Sequence, residues 1–360
     1  MIEADKPRLI FWELTKECNL ACRHCRAEAE KRSFQGELTL ELINAAIDDI
    51  ASCCSPIIVL TGGEPLYRSD VFDIAGHAAA KGLRTALATN GTLITAEIAD
   101  RIRDSGIRRV SVSLDGSNSR THDTFRGIPG SFDAALRGIS HLRDAAVEFQ
   151  INVTVTRRNK HELKDIYSLT KMLGGKALHL FMLVPVGCGV QLADSDMLSA
   201  DRYEEVLNWL YEQSRRADME LRATCAPHYY RIVRQRAKEE GVRPHAPREG
   251  FSAMTRGCLA GSGVCFISHR GDVQPCGYLP ITAGSILHQS FRAIWELSDV
   301  FARLRDSDAL GGKCGLCEYR MVCGGCRARA YYEHGDILAE EPFCAYLPSF
   351  WRFQAPYHMK

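Results

Sequence analysis

Cys18, Cys22 and Cys25 form a C-x3-C-x2-C run inside Thr15-Lys16-Glu17-Cys18-Asn19-Leu20-Ala21-Cys22-Arg23-His24-Cys25. Three thiolates at this spacing can hold three corners of a [4Fe–4S] cube and leave the fourth iron open, and an open iron is a place for chemistry. Zinc is the competing reading, because Cys pairs two residues apart are common zinc ligands. It needs a fourth ligand nearby, and His24, tight between Cys22 and Cys25, is badly placed to supply one.

A second cysteine territory lies toward the C-terminus: Cys258-x6-Cys265-x10-Cys276, then Cys314-x2-Cys317-x5-Cys323-x2-Cys326, then Cys344. These eight thiols are the number that two fully ligated [4Fe–4S] clusters require. Structural zinc knuckles are the alternative, since spacing alone does not separate iron from zinc. The chain holds 15 cysteines in all. It has no secretory apolar core near its start and no run of about 18 apolar residues. The expected compartment is therefore cytoplasmic, where thiols stay reduced and serve metal or redox chemistry. Cys53, Cys54 and Cys188 are read as buried free thiols without a role.

The elements that must position these residues alternate in type. Strands are expected over Leu9–Leu14, Ile57–Leu60, Arg84–Ala88, Arg109–Leu114, Phe149–Val155 and Leu178–Leu183. Helical patterns lie between them, at Leu40–Ala51, Val71–Lys81, Ala96–Asp104, Phe132–Arg143 and Leu163–Leu173, with a further one over Asp201–Arg216. Such alternation predicts an α/β fold with a parallel sheet and right-handed crossovers. The first cysteine run follows the first strand, and Thr89-Asn90-Gly91 and Ser113-Leu114-Asp115-Gly116 fall at later strand ends, where ligands are met. Asn90 and Asp115 could equally cap the turns that follow. At 360 residues the chain exceeds one ordinary core, so two domains are expected. Lys and Arg number 45 against 44 Asp and Glu, a net charge of +1 that gives no electrostatic case for nucleic acid.

The cysteine run, taken with Gly62-Gly63-Glu64-Pro65 after the second strand, resembles the radical S-adenosylmethionine (SAM) superfamily. The resemblance implies a partial (β/α)6 barrel, with SAM bound through its amino and carboxylate groups to the open iron on Cys18, Cys22 and Cys25. Gly62, Gly63, Glu64 and Pro65 would meet the methionine amine, Ser113 and Arg126 the carboxylate, with His24, Thr89, Asn90 and Asp115 beside them. The C-terminal thiols resemble the SPASM extension, which implies one or two auxiliary [4Fe–4S] clusters. By that resemblance Cys258, Cys265, Cys276 and Cys326 bind the nearer cluster and Cys314, Cys317, Cys323 and Cys344 the farther one. The two-residue gap between Cys323 and Cys326 departs from the usual three. The implied organisation is a barrel over 1–220, a linker or lid over 221–257 and a SPASM-type domain over 258–360. Within it, Gly241-Val242-Arg243-Pro244-His245-Ala246-Pro247-Arg248-Glu249-Gly250 reads as irregular.

Cys225-Ala226-Pro227-His228-Tyr229-Tyr230-Arg231 and Ile267-Ser268-His269-Arg270-Gly271-Asp272-Val273-Gln274-Pro275-Cys276-Gly277-Tyr278 are similar to the radical SAM enzymes of siroheme-dependent haem and haem d1 synthesis. A Pro-initiated helix with packing tyrosines is the plainer reading of the first segment. The resemblance implies a tetrapyrrole substrate and oxidative decarboxylation of two iron-coproporphyrin III propionates to vinyl groups. A flavodoxin or ferredoxin would donate electrons, and an auxiliary cluster would accept one. His228, Tyr229, Tyr230 and Arg231 would be the catalytic set, with Arg23, Arg126 and Arg231 open to the propionates. Removal of acetate groups from didecarboxysiroheme, haem d1 synthesis and peptide modification are the alternatives within the superfamily. Only Met1–Arg8 precedes the first strand, which favours a small substrate over a peptide. A non-catalytic electron carrier or zinc scaffold is the reading from another class, and Gly62-Gly63-Glu64-Pro65 argues against it.

Overall fold

The structure is a computed structural model that describes residues 6–241 and 256–349. Seven strands follow one another as parallel neighbours: β1 (Leu9–Glu13), β2 (Ile57–Thr61), β3 (Arg84–Thr89), β4 (Ile107–Ser113), β5 (Phe149–Val155), β6 (Ala177–Met182) and β7 (Glu220–Thr224). On the other side of β1 lies β8 (Val264–Ile267), also parallel, with Leu9 opposite Val264. The antiparallel strands β9 (Asp272–Gln274) and β10 (Gly284–Ser285) follow it. The sheet order is β10-β9-β8-β1-β2-β3-β4-β5-β6-β7, so β7 and β10 are its two edges.

The helices of eight residues or more are α1 (Leu40–Cys53), α2 (Val71–Ala80), α3 (Ala96–Asp104), α4 (Ser119–Arg126), α5 (Ser131–Asp144), α6 (Leu163–Leu173), α7 (Ala200–Ser214), α8 (His228–Glu239) and α9 (Arg327–His334), among the described residues. Local chemistry sets their ends. Thr39, Thr95 and Asn118 cap α1, α3 and α4 by accepting the N–H of Leu42, Ile98 and Thr121. The expected strands, and the helices from α1 to α6 that the sequence anticipates, agree with these bounds to within two residues.

The segment 221–257, expected as a linker or lid, begins with regular structure. Its first part holds most of β7 and all of α8, and β7 pairs with β6 from Ala177↔Glu220 to Phe181↔Thr224. Beyond Gly241, the irregular run 241–250 lies outside the described residues.

Alternation gives the sheet two faces. Outward, Ile10, Ile58, Leu60, Val110 and Ile151 pack under the helices in the main core. Each fully buried aliphatic side chain there contributes roughly 1.5–3 kcal/mol. Inward, the first three strands present Leu9, Phe11, Ile57, Val59, Ala86 and Ala88, a small apolar cluster. The later strands turn polar groups inward instead: Arg109 and Ser111 from β4, Gln150 and Asn152 from β5, His179 from β6, Glu220 and Arg222 from β7. Among the described residues no helix is long and apolar enough to cross a membrane.

Candidate active site

The loop after β1 carries Cys18, Cys22 and Cys25, and the loop after β2 is laid directly against it. Gly63 donates its N–H to the Thr15 carbonyl at 2.7 Å, and Glu64 donates to the Glu17 carbonyl at 2.8 Å. A Cβ on Gly62 would stand 2.5 Å from the Thr15 oxygen, and one on Gly63 still closer to that of Glu17. Only glycine permits this approach. Gly62 and Gly63 line the cavity beside the cysteines; Glu64 does not. Its buried carboxylate turns back to accept from Thr89 Oγ1 at 2.7 Å and the Asn90 N–H at 2.8 Å, pinning the β2 loop to the end of β3. Burial pushes the Glu64 carboxyl up to about 7 against the pull of those bonds. Pro65 starts a short 3-10 turn, Pro65–Tyr67, that Glu64 caps.

Each sulfur of the run accepts an N–H: Cys18 from Leu20 at 3.4 Å, Cys25 from Ala29 at 3.4 Å, and Cys22 from Arg126 Nη1 at 3.6 Å. Asn90 Nδ2 lies 3.8 Å from the Cys18 sulfur and donates to Asn19 Oδ1 at 2.9 Å. Burial pushes the Cys18 thiol up to about 12, so its ionised form calls for positive charge beside it. Inward donors around three thiols, Cys18 buried and Cys22 and Cys25 half-buried, fit an iron–sulfur cluster, whose iron supplies that charge.

Asp115 is wholly buried and holds two of these groups. Its Oδ2 meets Arg126 Nη2 at 2.6 Å and His24 Nε2 at 3.7 Å, while Oδ1 accepts the Thr154 N–H at 2.7 Å. Burial opposes the Asp115 charge, but the Arg126 guanidinium outweighs it and keeps the carboxyl below its ordinary range. Burial likewise works against Arg126, yet Asp115 and then Cys22 hold it firmly protonated. His24 stacks on Phe125 with ring centres 4.2 Å apart, and burial lowers it to about 4. Arg126, His24, Thr89, Asn90 and Ser113 line the cavity; Asp115 stands behind them.

That cavity, of about 410 Å³, fills the inside of the curved sheet. Cys18, Cys22 and Cys25 border it, and so do Cys258, Cys276, Cys326 and Cys225. Its size is that of a small-molecule site, about 300–1,000 Å³. Glu220 ties the polar side together, accepting from Arg222 Nε at 2.7 Å and Arg109 Nη1 at 3.3 Å. Gln150 Nε2 can only donate, so His179 Nδ1, 3.1 Å away, accepts and Nε2 carries the proton. That Nε2 is buried and has no protein partner.

The four thiols expected for the farther cluster are neighbours. Cys314, Cys317, Cys323 and Cys344 line one small pocket, with Cys314 accepting from the Glu341 N–H at 3.3 Å and Cys317 from that of Tyr319 at 3.4 Å. The nearer group differs at one position. Cys265 sits mid-strand in β8, fully buried in the outer core, while its neighbours Val264 and Phe266 face the cavity. Strand alternation turns the Cys265 side chain away from Cys258, Cys276 and Cys326.

The set His228, Tyr229, Tyr230 and Arg231 does not reach the cavity. All four lie on α8, whose buried face turns elsewhere. His228 and Arg231 line the pocket of the farther thiols, and Arg231 binds Glu204, Nη1 to Oε1 at 3.0 Å. His228 Nε2 is 3.9 Å from Glu341, and burial lowers the imidazole to about 3. Tyr229 donates to Ser214 Oγ at 3.3 Å and packs on the main core. Arg23 is exposed. Among the propionate candidates only Arg126 borders the cavity, already engaged by Asp115. Arg26, Arg109, Arg222 and His179, which sequence reasoning missed, do border it, and Arg26 pairs with Glu13 at 2.8 Å. The signal for Arg222 was present in the charged–apolar alternation Glu220-Leu221-Arg222-Ala223-Thr224, a strand with a polar inner face.

Residues 12–170 match the radical SAM superfamily, and residues 258–319 match SPASM, an iron–sulfur cluster-binding domain. The chain belongs to the radical SAM superfamily and is a radical SAM enzyme with a SPASM-type C-terminal part. It is 53% identical over 344 residues to the AdoMet-dependent heme synthase of Methanosarcina barkeri, covering 96% of this chain and 98% of that protein. Against the Fe-coproporphyrin III synthase of the same organism the identity is 32% over 357 residues, covering 94% and 88%. Among solved structures, Streptococcus suis SuiB bound to S-adenosylmethionine shares the fold with a TM-score of 0.73 at 16% identity, over 94% of this chain and 77% of that one.

Proposed function

We propose that this enzyme converts two propionates of iron-coproporphyrin III to vinyl groups, giving protohaem. The observation that carries the reading is the single cavity bordered by the first cysteine run and by the nearer C-terminal thiols. The much greater identity to the heme synthase than to the Fe-coproporphyrin III synthase favours vinyl formation over acetate removal.

With its cluster on Cys18, Cys22 and Cys25 and with SAM bound, the site supplies a 5′-deoxyadenosyl radical that abstracts hydrogen. Gly62 and Gly63 offer backbone to the methionine end, and Arg126, kept charged by Asp115, faces its carboxylate beside Ser113 and Asn90. The apolar wall of Leu9, Phe11, Ile57 and Val59 suits the flat ring of a tetrapyrrole. Across from it Arg222, Arg109 and the free Nε2–H of His179 suit its carboxylates. A propionate that loses a hydrogen atom from its β-carbon and then CO2 has one electron more than the vinyl product. The thiol group at the other border of the cavity is the seat of that electron's acceptor. We place the reaction in the cytoplasm, with a flavodoxin or ferredoxin as donor.

The test offers the anaerobic, reduced protein SAM with either iron-coproporphyrin III or didecarboxysiroheme and follows tetrapyrrole mass. Mass loss from iron-coproporphyrin III supports the reading; turnover of didecarboxysiroheme alone overturns it.

A further inference from the structure

We infer that Cys225, and not Cys265, is the fourth thiolate of the nearer cluster, joining Cys258, Cys276 and Cys326 on the cavity wall just past the end of β7. The inference rests on the iron–sulfur reading of the site and names its ligands. Cys225 is the residue after β7, and with Cys276 it packs against the small buried cluster that contains Cys326. Its strongest electrostatic neighbours are Cys326 and Cys276, with Cys258 also in reach.

The backbone there is held for a purpose. Cys225 has φ 54°, the left-handed region that a residue with a side chain enters at a cost of about 1–3 kcal/mol. Arg329, itself fully buried, fixes that turn by donating from Nη1 to the Cys225 carbonyl at 2.7 Å. The turn brings the thiol of a barrel residue to face three thiols of the C-terminal part.

Cys265 fails on register. It lies opposite Ile10, whose side chain belongs to the outer core, and the thiol that acts on it is Cys54, not Cys258, Cys276 or Cys326. Bringing it inward requires a one-residue slip of β8, which would drive Val264 and Phe266 out of the cavity wall. Four protein thiolates leave no open iron on the nearer cluster, so it takes up electrons without binding substrate. They also draw one ligand from just after β7, one from before β8, one from after β9 and one from the start of α9, so cluster assembly ties the C-terminal part to the barrel.

The test compares full-length, anaerobically reconstituted Cys225→Ala and Cys265→Ala with the parent for iron and sulfide per chain and for the EPR spectrum of the reduced protein. Cys225→Ala is expected to fall from about 12 to about 8 iron per chain, or to hold a [3Fe–4S] form. Cys265→Ala is expected to keep its full iron. A full complement in Cys225→Ala together with loss in Cys265→Ala overturns the assignment. Cys225→Ser guards against a folding failure: a changed auxiliary EPR signal with iron retained supports ligation, and an unchanged spectrum contradicts it. Iron counts read no substrate, so a wrong tetrapyrrole leaves this result standing and is told apart from a wrong ligand.

Discussion

Arg329 and Glu341 form an ion pair with neither side chain exposed, Nε to Oε1 at 2.8 Å, and the pair stands between the two C-terminal thiol groups. Glu341 Oε2 accepts the Cys326 N–H at 2.6 Å, and the Glu341 N–H donates to the Cys314 sulfur at 3.3 Å. Burial opposes the Glu341 charge, but Arg329, then His228, outweigh it and hold the carboxyl at about 2. Removing one partner of such a pair strands the other charge. Glu341→Ala is therefore expected to lose about 3–5 kcal/mol in anaerobic urea unfolding. A loss under about 1 kcal/mol, as for a surface pair, would contradict the bridging role.

Gly63→Ala places a methyl group against the Glu17 carbonyl. The expected outcome is a loss of about 1–3 kcal/mol from overpacking, with weakened SAM binding because the β2 loop must lift from the cysteine run. Equilibrium dialysis with SAM checks it; unchanged affinity would mean that the loop has slack.

Arg222→Ala should weaken tetrapyrrole binding about 10- to 100-fold, the range of a charge-assisted hydrogen bond worth roughly 1.5–3 kcal/mol. Arg222 borders the cavity from β7, at the opposite end of the run of parallel strands from β1 and its cysteine loop. SAM affinity is accordingly expected to hold. Titration of the porphyrin absorption band reads the first quantity and dialysis the second, and equal losses in both would deny Arg222 a substrate role.

His179 gives a pH dependence with a definite sign. Burial lowers its imidazole from 6.5 to about 4. Between those values the unfolded chain binds a proton that the folded one refuses, so the contribution is full above 6.5 and is lost as pH falls. That shift corresponds to roughly 3 kcal/mol. His179→Gln should flatten the acid side of the stability curve; an unchanged slope of urea stability against pH below 6.5 would show that His179 is not held neutral.

The sequence made the alternating elements readable because the outer faces of β1, β2, β4, β5 and β6 carry apolar residues at alternate positions, and β3 adds Leu87 between two threonines. β7 escaped notice because its inward residues Glu220 and Arg222 are charged, and a lumen that takes a polar ligand inverts the usual pattern. Cys18, Cys22 and Cys25 were legible because one short loop holds them all. Cys265 was not, since spacing says nothing about which face of β8 a thiol takes. His228 and Arg231 looked catalytic beside Cys225, but three residues along a new helix suffice to turn side chains toward another pocket. Arg222 and His179 meet only when β6 and β7 pair, through His179↔Arg222.

The most direct test of the central claim is the stoichiometry of one complete reaction. Reduced protein is given SAM and iron-coproporphyrin III without air, and 5′-deoxyadenosine, CO2 and product mass are followed together. The expected result is two 5′-deoxyadenosines and two CO2 for each protohaem formed. Formation of 5′-deoxyadenosine with the porphyrin mass unchanged would leave the radical machinery standing and contradict the assignment of the substrate.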